Sequence, residues 1–156
     1  MGKGPGGGKQ GKGPVSGGRI TNGYGPRTDP VSGKKGVMHH GVDIGVAKGT
    51  PVKATGGGTV VRAGWQSKDH SKGFGQRVTI DHGNGNTSTS GHMSRVDVQK
   101  GDKVKSGQQI GLSGNSGKST GPHVHYEERN NGQSHPPTYD PAHYTPKPPR
   151  LRVDFV

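Results

Sequence analysis

Gln76-Arg77-Val78-Thr79-Ile80-Asp81-His82-Gly83-Asn84-Gly85 is β-branched at its centre, with apolar Val78 and Ile80 at alternate positions, and then stops at a Gly-Asn-Gly turn. Alternation with period two marks a strand with one face packed, and the glycines supply the tight reversal a hairpin needs. The same texture recurs on both sides. VDIGV (42–46), PVKATGGGTVVRAG (51–64), GDKVKSGQQIGLSG (101–114) and HVHYEER (123–129) are short apolar or alternating runs, separated by turns every eight to twelve residues. No helical period is sustained between residues 38 and 130. The pattern predicts an all-β fold, one antiparallel β-sheet domain, with its longer strands near 57–63, 76–81 and 122–129.

Outside that region the composition changes. Residues 1–18 are half glycine, interleaved with Lys and Pro, and read as a flexible arm; the domain is expected over 19–144 and a Pro-rich basic tail over 145–156. Segment 19–37 reads as turn-rich, irregular loop. Only 22% of the 156 residues are hydrophobic and 32 are Gly, which alone points toward disorder. The clustering of Val and Ile between residues 37 and 126 supplies the small core that argues against it.

The formal charge is +12, and the tails carry most of it: residues 1–37 hold seven Lys/Arg against Asp29 alone, and residues 145–156 hold three against Asp154. Such a balance favours a polyanionic partner, whether nucleic acid, anionic lipid or an acidic cell wall, or merely keeps the tails solvated. Nucleic acid fits poorly, because the basic stretches lack the aromatics on which bases stack. The absence of Cys excludes a disulfide scaffold. MGKGPGGGKQGKGP has charge but no apolar stretch after it, so it is not a secretory signal, and no run is long enough to span a membrane. Delivery by a phage virion or release at lysis is the expectation this motivates. The Gly-rich texture of 101–111 resembles a phosphate loop, but no helix and no GKS or GKT ending follows, so it reads as turns between strands.

The chemistry concentrates in two histidine-bearing stretches. Residues two apart on a strand share a face, so His123 and His125 aim two imidazoles at one place. Met38-His39-His40-Gly41-Val42-Asp43 supplies a further imidazole and a carboxylate. Three nitrogen and oxygen ligands with a fourth position open describe a catalytic Zn2+ centre, whereas structural zinc usually closes its sphere with thiolates, which this chain lacks. Spacing leaves two choices open. His123 and His125 could both bind the metal or divide metal and substrate between them, and either His39 or His40 could accompany Asp43. His82, at a strand end before a turn, reads as structural. His70, His135 and His143 read as solvent residues.

Taken together, ITNGYGPR (20–27), DPVSGK (29–34), HHGVDIGVAKGTPVKATGGGTVVRAG (39–64), VTIDHGNG (78–85), residues 96–132 and YDPAHY (139–144) resemble the lysostaphin-type zinc endopeptidases of peptidoglycan. The resemblance covers roughly residues 20–142. It implies a lysostaphin-like fold with an open groove holding the zinc site, and bacterial peptidoglycan as substrate. Carried over by position, His39, Asp43 and His125 correspond to metal ligands. His123 and His92 correspond to the two histidines flanking water and substrate carbonyl, and His40 falls at a variable position. Asn22 and Tyr24 fall in the segment that lines the groove and become candidate substrate-binding residues, with Arg27 beside them. One departure stands out: the family usually carries Tyr two residues before the mid-domain His, where this chain has Ser90. If that phenol donates to an oxyanion, its loss would cost about 10²–10³ in rate. The competing expectation is therefore an inactive wall-binding or phage tail module.

Overall fold

The computed structural model describes residues 13–27 and 32–138, and among them every regular element is a strand. In chain order these are β1 (Arg19–Asn22), β2 (Gly25–Arg27), β3 (Val37–His39), β4 (Val42–Gly45), β5 (Pro51–Lys53) and β6 (Gly58–Trp65). There follow β7 (Gln76–Gly83), β8 (Asn86–Val96), β9 (Lys103–Val104), β10 (Gln109–Ser113), β11 (His123–Asn130) and β12 (Gln133–His135). The main sheet runs β1-β4-β11-β8-β7-β6-β9, with β10 bridging β5 and β8, and β12 on β11; β2 and β3 form a separate pair. All pairings are antiparallel.

Period two decides which side chains meet. On β11 the even positions Val124, Tyr126 and Glu128 turn inward, joined by Val42 and Ile44 of β4 and by Val78 and Ile80 of β7. The odd positions His123, His125 and Glu127 share the opposite face. Tyr126 keeps its hydroxyl satisfied in the interior through Thr55 Oγ1 at 2.6 Å and Glu128 Oε2 at 2.7 Å, as a buried phenol requires.

The strands expected near 57–63, 76–81 and 122–129 are β6, β7 and β11. The longest one, β8, reads as no strand in the sequence because its inward residues include Ser88 and Ser90 rather than Val or Ile. Ser88 Oγ lies 2.8 Å from His82 Nε2, while His82 Nδ1 reaches the Gly57 carbonyl at 2.8 Å, so His82 is the structural bridge its context implied.

Segment 19–37 departs from the irregular loop expected of it. β1 pairs with β4, and β2 with β3. The arm assigned to 1–18 also ends earlier than expected, because Val15 packs into the core and the Pro14 carbonyl accepts the Lys53 amide at 2.7 Å. The expected boundary at 144/145 lies outside the described residues, as does His143.

Candidate metal centre

Asp43 on β4 and His125 on β11 are direct register partners, so the sheet itself sets carboxylate against imidazole. His39, at the end of β3, reaches them across Gly41. A Cβ at Gly41 would run into the Tyr126 carbonyl oxygen and lie 2.8 Å from Glu127 Cβ, so only glycine lets the β3–β4 connection pass this close to β11. Three ligand atoms converge as a result. His39 Nε2 lies 3.3 Å from Asp43 Oδ1, His39 Nε2 lies 3.3 Å from His125 Nδ1, and His125 Nδ1 lies 3.0 Å from Asp43 Oδ1. All three residues are buried.

Those separations test the fit of a metal. Bonds of about 2.0–2.1 Å in a tetrahedral site place neighbouring ligand atoms about 3.3–3.4 Å apart. Two imidazoles and a carboxylate at 3.0–3.3 Å therefore fit one small divalent cation with a corner left open. His40 is not part of this set, since its Nδ1 sits 2.8 Å from Ser134 Oγ.

The orientation of each ring follows from its other nitrogen, because a carbonyl can only accept. His39 Nδ1–H donates to Gly23 O at 2.8 Å, His92 Nδ1–H to Ser116 O at 2.6 Å and His123 Nδ1–H to Gly121 O at 2.7 Å. Each of these rings presents Nε2 to the site. His125 is reversed, with Nε2–H directed at Glu127 Oε1, 2.9 Å away, and Nδ1 facing Asp43.

His92 and His123 flank the triad, their ring centroids 4.7 Å apart, and His123 Nε2 lies 3.5 Å from Asp43 Oδ1. His92 holds a left-handed backbone at φ 59, where the β7·β8 register slips and its amide donates to Phe74 O at 2.6 Å. Left-handed φ in a non-glycine residue is uncommon and concentrates at functional sites. Gly91, opposite His125, has no side chain, and the Phe74 ring fills that space. A Cβ there would stand 2.7 Å from Phe74 Cδ1. The Phe74 and His125 ring centroids are 5.2 Å apart.

Electrostatics separate the members. Burial disfavours a charged Asp43, but the hydrogen bond from His125 and the neighbouring His39 ring outweigh it and hold the carboxyl well below the usual carboxylate range. Burial, reinforced by neighbouring His123, pushes His92 down to about 4, so it is neutral near pH 7. In the metal-free chain, burial also works against a protonated His125, yet the hydrogen bonds to Asp43 and Glu127 prevail and hold it up at about 9.

Of the two substrate-binding candidates, Asn22 lines the groove and Tyr24 does not. Asn22 Nδ2 donates to Asp43 Oδ2 at 3.2 Å and so holds the carboxylate. Tyr24 is absent from the groove lining, and its hydroxyl bonds Ser134 O at 3.0 Å, pinning β2's approach to β12. Ser90 is buried opposite Tyr126 on the core side of β8, so a phenol at that position would not face the groove. His135 bonds Pro136 O, and His70 stacks on Trp65 with ring centroids 3.5 Å apart. Glu127, Phe74 and the carbonyls of Gly23, Ser116 and Gly121 were not anticipated. A Glu two residues beyond His125 on the same strand face was the one readable signal among them.

The site opens into a groove of about 630 Å³, with Met38 and Phe74 on its walls beside Lys118 and Arg129. Residues 37–137 match the family model described as Peptidase family M23. The chain belongs to Peptidase family M23. This M23 chain is 44% identical over 110 residues to peptidoglycan DD-endopeptidase ShyA of Vibrio cholerae, a match covering 70% of the chain and 24% of that protein. It is 41% identical over 120 residues to lysostaphin of Staphylococcus simulans, covering 76% and 23%. It thus spans about a quarter of the length of these curated relatives. Among solved structures, a mutant catalytic domain of the prophage-encoded M23 protein EnpA from Enterococcus faecalis aligns with TM-score 0.65 and 40% identity, covering 76% of this chain and 88% of that one. A zinc-containing peptidase from Vibrio cholerae aligns with TM-score 0.68 and 31% identity, covering 81% and 39%. Among the described residues, no helix is long and apolar enough to cross a membrane.

Proposed function

We propose that this chain is a zinc-dependent endopeptidase that hydrolyses peptide bonds in the cross-links or stem peptides of bacterial peptidoglycan. The observation that carries the reading is the convergence of His39 Nε2, Asp43 Oδ1 and His125 Nδ1 at the floor of an open groove. The relatives named as peptidoglycan endopeptidases and the zinc-containing structural neighbour support the substrate and the metal.

Zinc held by His39, Asp43 and His125 would supply a Lewis acid for the scissile carbonyl and lower the pKa of a bound water. The remaining work falls to side chains. His92, neutral near pH 7 and with Nδ1–H tied to Ser116 O, offers an Nε2 lone pair suited to taking the water's proton. His123, with Nδ1–H on Gly121 O, aims Nε2 at the same corner, where it can hydrogen-bond the developing oxyanion or the leaving amine. Phe74 and Met38 make the groove walls partly apolar and limit water around the reacting bond. Asn22, on the groove lining, steadies Asp43 through its side-chain amide. The net charge of +12 favours retention on an anionic wall.

The inactive-module alternative drew on Ser90, and its place in the core removes that support. Purified wall incubated with the zinc-loaded chain should release peptides with new amino termini, and H125A should release none. Zinc bound at one equivalent with no release would overturn the reading.

A further inference from the structure

Four imidazoles, those of His39, His92, His123 and His125, gather around Asp43, and three of them are held by neutral backbone carbonyls. His125 differs in being held by a carboxylate. Glu127 stands two residues along β11 on the same face, buried, with Oε1 2.9 Å from His125 Nε2. Its other oxygen, Oε2, accepts Arg129 Nε–H at 2.6 Å, and Arg129 Nη1–H reaches Gly132 O at 2.9 Å. His125, Glu127 and Arg129 thus form a ladder at every second position of one strand, ending on the β11–β12 turn.

An imidazole can rotate by half a turn about its bond to Cβ and offer either nitrogen, and its shape alone does not choose between them. The choice comes from whichever partner takes the second nitrogen. With Nε2–H committed to Glu127, only Nδ1 is left to face His39 and Asp43. Glu127 cannot itself swing away, because both its oxygens are occupied and Arg129 is tied to the turn.

We propose that Glu127, braced by Arg129, is a positioning residue that fixes His125 in the Nδ1-inward orientation and thereby strengthens metal binding at the His39–Asp43–His125 site. The proposal rests on the metal reading given above. Partners of this kind typically contribute 10–100-fold in metal affinity, by fixing the ring and raising its basicity.

The test is zinc affinity of the full chain, measured by chelator competition, alongside the ring-nitrogen NMR signature of His125. E127A should bind zinc about 10–100-fold more weakly, with its metal-free melting curve still cooperative. E127Q is nearly isosteric and keeps an acceptor for Nε2–H while losing the charge pair with Arg129, so it should recover part of the affinity; R129A should fall between E127A and the parent. In the zinc-loaded parent the proton should reside on His125 Nε2, and in E127A that single tautomer should be lost. If E127A and E127Q both match the parent in affinity and tautomer, the proposal fails while the metal reading stands. A parent chain that takes up no zinc overturns both.

Discussion

Asp43 and His125 face each other as register partners across β4·β11, and Asp43 Oδ1 lies 3.0 Å from His125 Nδ1. The contact is written into the sheet ladder rather than into a loop, so the two groups face each other before any cation arrives. In the metal-free chain, with His125 held up at about 9, the pair is ionic below that pH.

Removing either partner should abolish metal uptake. D43A and H125A should each contain less than a tenth of the zinc of the parent by elemental analysis. Wall-digesting activity should fall by more than the 10–100-fold typical of losing only a supporting partner.

H92A separates chemistry from metal binding. His92 touches none of the three ligand atoms within hydrogen-bonding distance, and its anchor is Ser116 O. Zinc content should stay at one equivalent while kcat drops by about 10²–10⁴, the range for losing a general base. Zinc titration and initial rates on purified peptidoglycan read the two quantities independently.

Proton linkage gives the metal-free protein a stability maximum. His92 sits at about 4 when folded against 6.5 unfolded, so between those values the unfolded chain holds a proton the folded chain lacks, and stability rises with pH. His125 sits at about 9 when folded against 6.5 unfolded, so its contribution is full below pH 6.5 and is lost as pH rises through 9. Melting temperatures of chelator-treated protein should therefore peak near pH 6.5. Saturating zinc, which requires a deprotonated imidazole nitrogen, should flatten the alkaline limb, and thermal melts across pH 4–9 with and without zinc would show it.

S90Y tests where position 90 points. Placed opposite Tyr126 in a packed interior, a second phenol should destabilise the chain by about 1–3 kcal/mol through overpacking, with no gain in turnover. A rise in kcat with unchanged melting temperature would mean that the phenol reaches the groove.

Much of this was readable from residue order. Val78, Ile80 and the turn at Gly83-Asn84-Gly85 announce β7, and period two alone sends His123 and His125 to one face. The triad's members were nameable only with the family resemblance, since spacing left either His39 or His40 open; in the structure His39 meets Asp43 and His125 while His40 turns to Ser134. β8 was hidden because its core face uses Ser88 and Ser90, which meet His82 across the β7–β8 hairpin and Tyr126 of the distant β11. Val15 was hidden by the glycines around it. Tyr24's tie to Ser134 spans 110 positions and leaves no local pattern.

The carbonyls that orient His92 and His123 come from Ser116 and Gly121, and the β10–β11 connection that carries them is also a wall of the groove. That connection is stitched to the β6–β7 loop by Gly117 N to His70 O at 3.1 Å and Lys118 N to Gly73 O at 2.9 Å. On the proposed function, the surface that would select a peptide and the props that keep the His92 and His123 rings in register are therefore one piece of chain. Lengthening or reshaping that wall to admit a different bridge would slacken both rings at once, so a change of preference and a loss of turnover should arrive together, and recovering speed would mean rebuilding two backbone acceptors rather than any ligand.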